Sequence, residues 1–71
     1  MASVRMGKYS VEGSASQRDG GKFVGTASLV WDDDDATCEK LMHFHKAFDS
    51  EVEAIKHALA QVQLRVNDGL L

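Results

Sequence analysis

Between Ser50 and Val66 the apolar residues Val52, Ile55, Leu59, Val62 and Val66 recur at alternating intervals of three and four. At about 100° per residue they fall within a stripe roughly 80° wide, which Ala58 broadens, while Glu53, Lys56, His57 and Gln61 lie elsewhere on the cylinder. The spacing predicts an amphipathic helix over residues 50–66. Its start is marked by Ser50 followed three residues later by Glu53, the capping-box pattern. Asp49, Glu51 and Glu53 stand where the positive end of the helix dipole favours them, and Asn67-Asp68-Gly69 supplies the stop.

Upstream the apolar period changes from helical to two, the signature of half-buried strands. Residues 5–16 read as one strand, with Tyr9, Val11 and Ala15 on one face and Lys8, Ser10, Glu12 and Ser14 on the other. Residues 1–4 read as a frayed end. Arg18-Asp19-Gly20-Gly21 has the chemistry of a hairpin turn. Residues 22–31 form the second strand, with Phe23, Ala27, Leu29 and Trp31 toward the helix, Gly25 leaving space beside it, and Val24, Thr26, Ser28 and Val30 on the opposite face. Four adjacent aspartates, Asp32 to Asp35, repel one another and break that strand. Residues 37–45 form the third, with Cys38, Met42 and Phe44 inward and Glu39, Leu41, His43 and His45 outward; residues 46–49 then turn into the helix. The expectation is a single α+β domain over residues 1–71: a three-stranded antiparallel meander with one C-terminal helix packed on one face (βββα).

A chain of 71 residues has room for one core, and a domain of that size buries only about 60% of the surface of its unfolded chain. Self-association is one way to add buried area. The net charge of −3 is unevenly spread: residues 1–31 carry a surplus of +2 and residues 32–71 a deficit of −5. Arg5, Lys8, Arg18 and Lys22 make a dispersed set of cations, unlike the concentrated basic patch of most nucleic-acid binders, so nucleic acid is a disfavoured partner. No apolar run approaches the ~20 residues of a membrane span, and residues 1–8 do not read as a signal peptide. A single cysteine, Cys38, has no partner for an internal disulfide, which fits a reducing cytoplasm.

Candidate chemistry is sparse. His43 and His45 sit on one side of a strand, about 7 Å apart along the backbone, a spacing that can present two metal ligands. Asp49 or an aspartate from the 32–35 run would have to be the third. Two solvated histidines are the simpler account. The aspartate run lacks the spaced ligands, glycine and terminal glutamate of a dedicated calcium loop, and reads as a solvated hairpin loop. Cys38, inward beside Met42 and Phe44, reads as a buried, inert thiol. No catalytic residue, metal site or cofactor is assigned. The open sheet face presents Thr26, Ser28, His43 and His45 as candidate binding residues. Leu64, nearly opposite the core stripe, together with Leu70 and Leu71 forms a candidate self-association patch.

Three resemblances bear on function. Glu12-Gly13-Ser14, Gly20-Gly21 and Glu51 with Ala54, Ala58 and Leu59 resemble the first half of a ribonuclease H-like domain, which would make Glu12 and Glu51 magnesium ligands for phosphodiester hydrolysis. The later strands of that family have no counterpart here, and alternation points Glu12 away from the helix. The strand-strand-strand-helix order also resembles double-stranded-RNA-binding domains and HicB-like antitoxins; where the RNA binders place lysines, this chain has Asp49-Ser50-Glu51-Val52-Glu53. Over most of its length the chain is similar to small uncharacterised bacterial βββα proteins, which implies a fold more than an activity. The leading expectation is therefore a small cytoplasmic, non-catalytic interaction module whose partner is a second copy or another protein. A nucleic-acid-binding or antitoxin-like module comes second, and a metal-dependent hydrolase fragment third.

Overall fold

The computed structural model describes residues 2–70; Met1 and Leu71 lie outside the described residues. The elements are β1 (Ala2–Met6), β2 (Tyr9–Gln17), β3 (Phe23–Asp33), β4 (Ala36–Phe48) and the helix α1 (Glu51–Asn67). The strands lie in the order β1-β2-β3-β4, each antiparallel to the next, with α1 across one face. The α+β class, the meander and the C-terminal helix match the sequence. The strand count does not: among the described residues there are four strands, not three.

The extra strand arises because the stretch read as one strand over residues 5–16 is two. Met6 pairs with Tyr9 across a two-residue Gly7-Lys8 turn. Gly7 has φ +59° and Lys8 does not share the positive sign, the arrangement of a type II′ hairpin turn, which matches the right-handed twist of the flanking strands. Lys8 thus occupies a turn rather than an outer strand face, and residues 2–4, expected to fray, belong to β1. The apolar phase flips at the turn, so that Met6 and Tyr9 are both buried.

Strands β2 and β3 pair from Ser10–Val30 to Gln17–Phe23. Their link is closed by the Gly21 N–H donating to the Arg18 carbonyl at 3.1 Å and the Arg18 N–H donating to the Lys22 carbonyl. At the other end of β3 the aspartate run does not break the strand. Asp32 and Asp33 stay in the ladder opposite Thr37 and Ala36, and only Asp34-Asp35 turn. Asp34 takes φ +54°, a left-handed conformation that short polar side chains tolerate. Strand β4 is longer than expected and includes Lys46-Ala47-Phe48. Between the pairs Val24–Ala47 and Thr26–His43 the register shifts, leaving three residues of β4 opposite Gly25. This bulge bends β4.

Helix α1 caps as its sequence implies. The Glu53 N–H donates to Ser50 Oγ at 3.2 Å, and the far end closes with Gly69 N–H to the Val66 carbonyl (3.2 Å) and Leu70 N–H to the Arg65 carbonyl (2.8 Å), a Schellman motif. Ser50→Ala should remove the capping acceptor and lower stability by about 0.5–2 kcal/mol. A urea midpoint unchanged in that variant would show that the cap contributes nothing.

The core joins Met6, Tyr9 and Val11 to Ala27 and Leu29, Phe44, and Ala58 and Val62 of the helix, with Trp31, Met42, Leu59 and Val66 packed around them. The buried line of α1 is Ala54-Ile55-Ala58-Val62, not one running through Val52, which is 59% exposed. The cause lies in the sheet. A Cβ on Gly25 would collide with the Ala54 carbonyl oxygen and stand 2.9 Å from Ala58 Cβ, and one on Gly13 would stand 3.1 Å from Leu59. The helix backbone rests in the space that Gly25 leaves. This close approach centres α1 on its small residues and swings Val52 outward.

Candidate interaction surface

Because cross-strand partners share a face, the register defines the side of the sheet that α1 leaves uncovered. Its rows read Ser14–Thr26–His43, Glu12–Ser28–Leu41 and Ser10–Val30–Glu39, continued on β1 by Ser3 beside Glu12 and Arg5 beside Ser10. Hydroxyls dominate, with two carboxylates and one guanidinium among them. Thr26 Oγ1 and His43 Nδ1 lie 3.4 Å apart, a long contact that joins β3 to β4. Ser28 sits beside Leu41, one row away. His45 is exposed within the bulge. Of the four residues singled out in the sequence, the structure brings Thr26 and His43 together and sets Ser28 in the next row.

Two shallow depressions mark this face. One, of about 370 Å³, is lined by Ser3, Arg5, Ser10, Glu12, Ser28 and Val30 among others. The other, of about 340 Å³, lies over Ser16, Gln17, Arg18, Val24, Thr26 and His43. Val24, expected to stand open on this face, is only 5% exposed; it lies beside the bulge, where the bend of β4 closes the surface around it.

The polar residues expected to carry chemistry do not converge. Among the described residues no group of three or more His, Cys, Asp or Glu side chains is placed to hold a metal ion. Asp32 accepts a hydrogen bond from Thr37 Oγ1 at 3.1 Å, and Asp49 pairs with Lys22. Glu12 lies on the open face, whereas Glu51 is in the first turn of the helix across the sheet; two-metal hydrolysis needs carboxylates meeting at ions about 4 Å apart. Cys38 is half-buried. Leu64 and Leu70 are 54% and 68% exposed, and the third leucine of that patch, Leu71, is outside the described residues.

Sequence reasoning missed the flank where α1 meets β4. His57 rests against Phe44 (centroids 5.8 Å apart, planes at 82°) and Phe48 (5.1 Å, 47°). Arg65 lies with its guanidinium carbon 5.4 Å from the Phe44 centroid. His57, Gln61 and Arg65 repeat every four residues, so they share a flank; that spacing was the available signal. On the same side of the sheet as α1, Tyr9 and Trp31 meet edge to face at 5.3 Å, bordering a 140 Å³ niche with Leu29 and Lys40. No helix among the described residues is long and apolar enough to cross a membrane.

Comparison with protein-family models, curated proteins and solved structures gave no match to this chain.

Proposed function

We propose that this protein is a non-catalytic interaction module that works by self-association or by binding another protein. The observation that carries the reading is the uncovered side of the sheet. One helix covers one face of four strands and leaves Thr26, Ser28, His43 and the exposed Leu41 facing outward. Such a surface presents backbone-ordered hydroxyls and an apolar side chain without gathering groups for acid–base, nucleophilic or metal chemistry. Leu64 and Leu70 add exposed apolar area at the end of α1. Two of the four cations that a nucleic-acid reading needs have partners within the chain: Lys22 pairs with Asp49, and Lys8 lies over the Tyr9 ring.

Molar mass by light scattering at two protein concentrations tests the reading. A mass that rises toward twice 7.8 kDa with concentration is the expected result, and a strict monomer throughout would remove self-association from the proposal. Alanine at Leu64 and Leu70 then asks whether the helix end takes part.

A further inference from the structure

We propose that a second copy of this chain docks along the outer edge of β4, antiparallel and centred on Leu41, so that two four-stranded sheets become one of eight. The inference rests on the reading of the protein as a self-associating module and names the surface that does it.

Strand β4 is the long free edge of the molecule. It has thirteen residues, about 40 Å at the rise of an extended strand, against a longest molecular dimension of 44 Å. On one side it pairs with β3, and among the described residues no element covers the other. An edge of that length presents a row of backbone donors and acceptors that a further strand can satisfy. The usual safeguard of a proline is absent from the whole chain. The bulge opposite Gly25 takes up only the part of β4 beyond His43, which leaves residues 39–43, the five that pair with one another about a dyad at Leu41, regular.

The side chains select the partner and the register. A dyad perpendicular to the sheet keeps like faces together, so the paired positions must share parity. Centring it on Leu41 sets the two leucines opposite each other, each 59% exposed in the single chain. Glu39 then lies opposite His43 of the second copy on the open face, a carboxylate against an imidazole, and Lys40 opposite Met42 on the other. Shifting the centre to Glu39 or Lys40 would instead place like charges face to face, which opposes pairing. The sequence Glu39-Lys40-Leu41-Met42-His43 is therefore complementary to itself read backward, which identifies the occupant as another copy of this chain.

The test is symmetric cross-linking. In a Cys38→Ser background, Leu41→Cys should give a disulfide-linked dimer on mild oxidation, because directly opposed residues have Cβ atoms about 4.5–5.5 Å apart, close to disulfide reach. Glu12→Cys, in the middle of the sheet, and Leu64→Cys, on the helix, should stay largely monomeric. Leu41→Arg, which sets two cations on the dyad, should weaken the dimer at least about tenfold in light scattering. A dimer that cross-links through Leu64→Cys and not Leu41→Cys, or that survives Leu41→Arg unchanged, would overturn the edge while leaving self-association intact. A monomer at every concentration would overturn both.

Discussion

Replacing Leu29 by alanine is expected to cost about 3–5 kcal/mol. Leu29 is 0% exposed and is the largest fully buried side chain. Its neighbours come from three directions: Tyr9 and Val11 on β2, the helix above, and Trp31 beside it. Atoms held from so many sides cannot collapse into a vacated space, so the cavity cost adds to the lost transfer energy. At roughly 0.05–0.15 kcal/mol per residue, a domain of this length holds only about 4–10 kcal/mol in total. The variant should therefore be substantially unfolded at room temperature or melt far below the parent. Truncation to alanine at Val52, 59% exposed and away from the edge of β4, should stay within about 0.5 kcal/mol. Urea unfolding followed by circular dichroism compares the two; equal midpoints would contradict the assignment of Leu29 to the centre of the core.

The second large effect is expected at Gly25. Its φ is not in the positive range, so alanine fits the backbone, and by chain entropy alone the change would stabilise by about 0.4–1 kcal/mol. Sterics decide the sign. The added methyl would strike the Ala54 carbonyl oxygen, a backbone atom fixed within the helix ladder, and would stand 2.9 Å from Ala58 Cβ. The helix must lift or slide, which loosens Val62 and Ala58 against Ala27 and Leu29. A net loss of about 1–3 kcal/mol is expected for Gly25→Ala, a fall of roughly 4–24 °C in Tm for a chain of this size, with a larger fall for Gly25→Val. At Gly7, where a Cβ meets nothing within 4 Å but φ is +59°, any penalty would come from the backbone instead. A Gly25→Ala protein as stable as the parent would show that α1 does not sit as closely on β3 as described.

These two sites also show what the sequence could and could not convey. The helix was legible down to its cap, because Ser50 and Glu53 act locally and need no knowledge of the sheet. So were the core-facing residues of β3 and β4, since period-two alternation records which side is wet. The first hairpin was hidden because β1 is short, with only Met6 of its five residues buried, so the flip of phase between Met6 and Tyr9 leaves little alternation on the β1 side to reveal it. The clue was the burial-prone pair Met6 and Tyr9 flanking a glycine-led dipeptide. Val52 was misplaced for a different reason. The rotation of α1 about its axis is fixed by the Gly25–Ala54 contact, a tertiary fact that helical periodicity does not encode. The Thr26–His43 contact likewise depends on register across a bulge. His57 lies off the core stripe of the helix, and helical period alone does not place it or Arg65 against aromatic rings that come from β4.

The order β1-β2-β3-β4 has a kinetic corollary. Every strand pairs with its sequence neighbour through a connection of only a few residues, so the sheet can zip together hairpin by hairpin, each step closing a short loop of low entropic cost. The contacts of greatest sequence separation, such as Gly13 with Leu59, enter when the helix settles over Gly25 and Gly13. The search the chain must conduct is thereby reduced to one docking event between two pieces that can each begin to form on their own.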